Sequence, residues 1–180
     1  MHRQTELALL GFLKKNPRHG YDLYQELSEP EGLWQVWRMK QSQLYALLNR
    51  LEEQGYLAFS REAEGSRPPR KMYRMTPSGR EAYASWVRAP VERGRQFRLD
   101  LLIKLFFAHR EGGAVVTELL DAQQAACLDW QRELEEKGVS REDAEPYRRV
   151  VHQYRAGQVQ AMLDWLDSSR NELTRPIVNG

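Results

Sequence analysis

The chain has 180 residues, 41% of them hydrophobic, and a formal net charge of only +2, which allows one good core or two small ones without announcing nucleic acid by composition. A single cysteine, Cys127, excludes a disulfide framework and fits a reducing compartment. No apolar run approaches the roughly 18 residues of a membrane-spanning helix, and Met1 to Lys15 lacks the features of a signal peptide, so the protein is expected to be soluble and cytoplasmic.

From the amino terminus, a first helix is predicted over Gln4–Lys15, with Leu7, Leu10 and Leu13 inward and Thr5 near the cap. Asn16–Gly20, containing Pro17, reads as a turn. A second helix, Tyr21 to Ser28, buries Leu23, Tyr24 and Leu27 and is stopped by Pro30 and Gly32. An aromatic stretch, Leu33 to Trp37, leads to the next helix. Most of the five tryptophans are expected as core or interface anchors, because a large amphipathic ring is most stable when mostly buried.

The helix predicted over residues 40–54 has two faces with different tasks. Leu44, Leu47, Leu48 and Leu51 fall at i, i+3, i+4 and i+7 and must face a core, while Ser42, Tyr45, Ala46, Asn49 and Glu53 repeat that spacing opposite. The second face is short, polar and mostly uncharged, which suits entry into a DNA groove. Gly55 ends the helix, and the β-prone Tyr56–Arg61 follow.

Tyr56–Arg61 and Lys71–Thr76 are predicted strands, and Gly65, Ser66, Pro68 and Pro69 make the spacer between them an exposed hairpin tip. Arg67, Arg70 and Lys71 decorate it. Thr76 and Pro77 read as the cap and first position of a helix carrying Ala82, Tyr83 and Trp86. Residues 38–80 hold 9 Lys and Arg against 4 Asp and Glu, whereas residues 91–180 hold 13 against 15, so the basic excess surrounds the third helix and the hairpin. Three helices followed by a basic two-stranded hairpin is the order of a winged helix-turn-helix. The expected fold is mainly α with a small β-hairpin, its DNA-binding domain spanning residues 1–89.

From residue 90 onward the character changes. Phe97–Phe107 is apolar on nearly every side and is expected to be buried among several partners, and Gly112–Gly113 breaks it. Val116, Leu119, Leu120, Gln123, Cys127 and Trp130 form one stripe of a long helix ending near Gly138. Tyr147, Val150, Val151, Tyr154, Trp165 and Leu166 form another, interrupted at Gly157 and Gln158, and the tail from Asn171 is expected to fray. These stripes carry more apolar surface than one helix pairing consumes. A second subunit is the expected cover, making residues 90–180 a helical dimerisation domain.

The elements in this order resemble the PadR family of bacterial transcription regulators. The resemblance rests on His19–Gly20–Tyr21–Asp22–Leu23, then Leu44–Tyr45, Leu48, Arg50–Leu51–Glu52 and Gly55–Tyr56–Leu57. Tyr73–Arg74–Met75–Thr76 with Gly79 continues it, and Phe97, Lys104–Leu105–Phe106 and Trp165–Leu166 match more weakly. The longer carboxyl-terminal region is similar to the virulence-activator branch of that family. The resemblance implies a homodimer on a roughly two-fold symmetric operator, repression in many relatives, and in some a response to phenolic or drug-like ligands. It also implies that Tyr21 places its hydroxyl on the DNA backbone.

With the third helix in a major groove, Gln41, Ser42 and Gln43 are the candidates for base or phosphate contacts, a glutamine amide being able to pair bidentately with adenine. Tyr45 is a candidate for a phosphate or thymine-methyl contact, with a packed ring as the alternative. Lys40, Arg67, Arg70 and Lys71 would neutralise phosphates. Arg50 is expected to pair with Glu52 or Glu53, and those carboxylates keep the last turn of the helix away from DNA. For the aromatic residues, core packing is the leading expectation, with a small aromatic effector near Tyr83 or Trp86 as the alternative.

Catalytic signatures are sparse. The four histidines are scattered without metal-ligand spacing, and neither a Gly-rich phosphate loop nor a nucleophile elbow is present, so neither an enzyme nor a metal or other cofactor is expected. A winged-helix adaptor that binds protein instead of DNA is the alternative, but it would have no need for positive charge concentrated on the wing and third helix.

Overall fold

A computed structural model describes residues 5–62, 70–137 and 145–173. The chain divides into two compact units, one formed by Met1–Val87 together with Leu102–Phe107, the other by Arg88–Leu101 with Ala108–Gly180. Among the described residues, no helix is long and apolar enough to cross a membrane.

The first unit opens with a 3-10 turn, Thr5–Leu7, that runs into helix α1, Ala8–Phe12. The helix is shorter than the periodicity suggests, because Lys14 to Pro17 are exposed and Pro17 disfavours helical backbone at Asn16. Leu10 and Leu13 are buried as expected, whereas Leu7 is only half-buried. Helix α2 spans Gly20–Leu27 and α3 spans Gln41–Glu53, joined through a 3-10 turn at Leu33–Gln35. The stripe of α3 does face the core, with Leu44, Leu48 and Leu51 at 0% exposure and Leu47 at 4%.

A complete Schellman closure ends α3. Gly55 takes φ +75°, its N–H donates to the Glu52 carbonyl at 2.9 Å, and the N–H of Tyr56 donates to the Leu51 carbonyl at 2.9 Å. The chain reverses there into strand β2, Leu57–Glu62, which pairs antiparallel with β3, Arg70–Met75. A third strand, β1 at Arg18–His19, joins the free edge of β3 with Arg18 opposite Tyr73 and His19 opposite Met72. The turn expected at Asn16–Gly20 therefore contains a strand. Its pairing partner lies more than fifty residues away, so no local pattern marks it.

Thr76 caps helix α4, Pro77–Arg88, by accepting the Gly79 N–H at 3.0 Å, and its hydroxyl donates to the Gly55 carbonyl at 2.7 Å. One side chain thus ties the end of α3 to the start of α4. The core of this unit includes an aromatic cluster in which the Phe107 centroid lies 5.1 Å from that of Phe12, 6.2 Å from Tyr83 and 6.3 Å from Trp86, all three pairs edge to face.

The second unit begins with a short helical turn, α5 at Gly94–Gln96, and a π-helical segment, Phe97–Leu101. Helix α6, Leu102–Glu111, follows in sequence; its residues Leu102–Phe107 belong to the first unit and the remainder to the second, and it ends at Gly112, which takes φ +119°. Helix α7, Gly113–Glu136, and helix α8, Pro146–Leu173, pair in antiparallel sense, since Asp121 meets Arg170 at 2.7 Å while the Leu134 carbonyl meets His152 Nε2 at 3.0 Å. Gln123, wholly buried in the α7 stripe, accepts the Val91 N–H at 2.8 Å.

Helix α8 is continuous through Gly157 and Gln158 and runs to Leu173, so the first three residues of the tail expected to fray are helical, and the rest of that tail lies outside the described residues. A helical glycine costs only about 1 kcal/mol relative to alanine, which the buried Val159, Leu163 and Leu166 outweigh. On the amino-terminal half of α8, Tyr147, Val150 and Tyr154 are 72%, 62% and 64% exposed.

Candidate nucleic-acid interface

Helix α3 presents Gln41, Ser42, Gln43, Tyr45 and Asn49 to solvent while its leucines anchor the opposite side. The amino-terminal turn is held open by Gln43, whose Oε1 accepts the Lys40 N–H at 2.8 Å. That bond restricts the readout expected of this residue. An amide whose oxygen accepts the cap bond keeps its NH₂ donors for a base acceptor, but bidentate pairing with adenine must then share that oxygen with the cap through its second lone pair. Gln41, two residues earlier in the same turn, stays exposed.

Beside this turn lies an open cleft of about 810 Å³ where β1, α2, α3 and β3 meet. Tyr21 lines it from the start of α2, Tyr45 and Asn49 from α3, and Arg70 and Lys71 from the wing strand. Tyr21 is 51% exposed and its hydroxyl accepts from Gln25 Nε2 at 2.8 Å. Four residues singled out from sequence are thus brought to one concavity, and His19 and Asn49 join them there. Asn49 stood on the polar face of the third helix without being given a role, and His19 belonged to the segment read as a turn.

Gly20 explains how Tyr45 is held. A Cβ built at Gly20 would stand 2.5 Å from Tyr45 Cε1, so the phenol ring lies against bare backbone at the start of α2. The ring is nevertheless 36% exposed. Both readings of Tyr45 therefore describe part of it, one edge packed and the remainder open to the cleft.

The wing cations differ from each other. Arg70 is exposed, whereas the Lys71 ammonium sits 3.1 Å from Glu52 Oε2 and 3.9 Å from the Phe59 ring centroid. Glu52 therefore draws the Lys71 charge inward and fixes β3 against α3. Behind them Tyr73 is 1% exposed, and burial, reinforced by the Glu52 carboxylate and then by Tyr45, pushes its phenol pKa above the ordinary value of 10.0. Arg67 lies outside the described residues.

Arg50 has a different partner from either one expected. It meets Glu6 Oε2 at 2.8 Å, because its side chain turns across the first unit toward the amino-terminal turn, away from Glu52 and Glu53. Tyr83 and Trp86 are 3% and 4% exposed within the Phe107 cluster, the packing expected of core residues. An effector reaching those rings would have to displace Phe107. Among the described residues, no group of three or more His, Cys, Asp and Glu is placed to hold a metal ion.

The transcriptional regulator PadR-like family matches over residues 9–85, and the virulence activator alpha C-terminal family over residues 97–174. The chain is 28% identical over 144 residues, 78% of each protein, to the negative transcriptional regulator PadR of Bacillus subtilis. It is 26% identical over 177 residues to the probable transcriptional regulator Rv1176c of Mycobacterium tuberculosis, covering 89% of this chain and 92% of that one. It also resembles the crystal structure of Bacillus subtilis PadR in complex with operator DNA, at 24% identity and a TM-score of 0.48, over 95% of this chain and 99% of the other. The two matched regions take up most of the sequence, one over the winged helix and the other over the long helices, so the chain carries a PadR-like transcriptional regulator domain followed by a virulence activator alpha C-terminal domain.

Proposed function

We propose that the chain is a sequence-specific repressor that binds a two-fold symmetric DNA operator as a homodimer and is released by a small aromatic effector. Residues 1–89 act as the DNA-binding domain and residues 90–180 as the dimerisation domain. The observation that carries the reading is the convergence of the exposed amino-terminal turn of α3 with a cleft lined by Tyr21, Tyr45 and Arg70. A helix of this exposure fits the roughly 12 Å major groove, with Gln41, Ser42 and the free donors of Gln43 reaching base edges. Tyr21 and Tyr45 hydroxyls meet the flanking backbone, and Lys40, Arg67, Arg70 and Lys71 supply the phosphate-facing charge, with Lys71 shared by Glu52. The exposed Tyr147, Val150 and Tyr154 on α8 supply the apolar stripe that a second copy would cover.

Selection of bound sequences from a random duplex pool tests the reading directly. A recovered motif with two inverted half-sites about one helical turn apart is the expected result. Enrichment of no motif, together with light scattering that shows a monomer at micromolar concentration, would remove it.

A further inference from the structure

We propose that His19 is a proton-linked phosphate contact: a DNA backbone seated in the cleft of β1, α2, α3 and β3 draws a proton from solvent onto the imidazole, so that affinity for DNA rises as the medium becomes more acidic. Such a contact deepens the DNA-binding reading and rests on it. Hydrogen bonding of the ring fixes which nitrogen titrates. His19 Nδ1 lies 3.2 Å from the Lys71 carbonyl oxygen. A carbonyl only accepts, so Nδ1 carries its hydrogen in the neutral ring and in the cation alike. Nε2 is then the basic nitrogen, and among the described residues it has no hydrogen-bond partner. The half-buried ring lines the cleft with Tyr21, Asn49 and Arg70. Unprotonated, Nε2 sets a lone pair against the lone pairs of a phosphate oxygen; protonated, it becomes a charge-assisted donor.

The charges around the ring come from each element that packs on it. On β3, Arg70 is exposed, and Lys71 is countered by Glu52 of α3 at 3.1 Å. On β1 itself, Arg18 is ion-paired with Glu26 of α2, and Asp22 is an exposed carboxylate in the first turn of that helix. Tyr21, Tyr45 and Tyr73 bring phenols to the same cleft. Carboxylates, phenols, ammonium and guanidinium groups ordinarily keep one charge state between pH 5 and 8, whereas an imidazole is the side chain that changes its own there. A phosphodiester brought to Nε2 favours the charged ring over the neutral one. Linkage then requires protonation to strengthen DNA binding by the same factor. The complex holds more protons than the free protein, so affinity falls as pH rises through the histidine range.

The test titrates full-length protein into a fluorescein-labelled mixed-sequence duplex at fixed ionic strength, from about pH 6 to about pH 8, for the wild type and His19→Asn. Asparagine keeps an N–H donor near the place of Nδ1, and with it the bond to the Lys71 carbonyl, while removing the titrating nitrogen. Wild-type affinity should fall about tenfold across that range, the scale of one charge-assisted contact, and His19→Asn should stay near the weaker wild-type value throughout. Calorimetry of wild-type binding near neutral pH, in two buffers of different ionisation heat, counts the proton without any variant and should show net uptake. Wild-type affinity that does not change with pH, an equal pH dependence in His19→Asn, or binding without proton uptake overturns the contact. Tight binding at every pH with no proton uptake retires the contact alone and leaves the DNA-binding reading standing, whereas no binding at any pH overturns both.

Discussion

Arg50 donates from Nη1 to Oε2 of Glu6 at 2.8 Å, while Gln54 Nε2 donates to the other carboxylate oxygen at 3.0 Å. Glu6 is only 2% exposed, so its charge is tolerated because two donors from the end of α3 satisfy it. The pair bolts α3 to the amino-terminal turn. Arg50→Ala leaves that carboxylate with one donor and is expected to cost roughly 1–2 kcal/mol, held to that range because Arg50 itself is half-exposed. Urea denaturation measures the loss. DNA titrations of the same variant should keep the wild-type salt slope, because Arg50 serves the fold and not a phosphate.

Periodicity located the helices because each buries one stripe against its own unit, and a stripe is written in consecutive sequence. Leu44 to Leu51 announced α3 in that way, and Thr76 with Pro77 announced the cap of α4. Pairings across long separations were not written there. Arg50 faces Glu6 because α3 and the first turn meet in space, and β1 exists because Arg18 and His19 find the free edge of β3. The site divides along the same line. Exposure of Gln41, Ser42 and Tyr45 followed from the stripe opposite them, whereas the engagement of Gln43 by Lys40 and of Lys71 by Glu52 depends on rotamers that spacing does not encode.

Phe107 completes the aromatic cluster of the first unit although it lies beyond residue 89 in sequence. Phe107→Ala removes a ring that is 1% exposed and is expected to cost about 3–5 kcal/mol, the range for a large aromatic deleted from a core. Thermal unfolding followed by circular dichroism reads the shift. By the same reasoning a fragment ending at Ala89 lacks Leu102–Phe107 and should melt well below the full chain; equal stability of the two would contradict the packing.

Gly20 and Tyr45 predict a variant that damages binding more than stability. In Gly20→Ala the new methyl would meet the Tyr45 ring at 2.5 Å, and the ring, being 36% exposed, can swing outward at modest cost. Its hydroxyl then leaves the cleft. DNA affinity should fall severalfold while the unfolding midpoint changes little, and a crystal structure of the variant should show the displaced phenol. Tyr45→Phe, which keeps the ring and deletes the hydroxyl, separates backbone contact from packing.

Alkaline pH should weaken the fold through Tyr73. Its phenol pKa is raised by burial first, then by Glu52 and Tyr45, so the folded state holds the proton more tightly than the unfolded chain does. The resulting stability is fully present below the unfolded value near 10 and is lost as pH rises through the folded value. Tyr73→Phe removes the titrating group, so its stability should fall less between pH 9 and 11, a window of roughly one unit on either side of the tyrosine reference value. Denaturant midpoints across that window decide it.

Arg70 and Lys71 adjoin in sequence, yet they should behave differently on DNA. Arg70 is exposed on the wing and available to a phosphate, so Arg70→Ala should weaken binding to all sequences alike and lower the magnitude of the log–log salt slope by about 1. Lys71 already meets Glu52 at 3.1 Å and Phe59 at 3.9 Å, and a cation so partnered releases less counterion on binding. Lys71→Ala should therefore move the slope by clearly less than Arg70→Ala. It frees Glu52 near the cleft, however, so affinity at low salt should drop, and Glu52→Gln in the Lys71→Ala background should restore part of it by removing the repelling carboxylate. Fluorescence anisotropy titrations across a salt series supply both quantities, and equal slope changes for the two single variants would show that the Lys71–Glu52 pair opens when DNA binds.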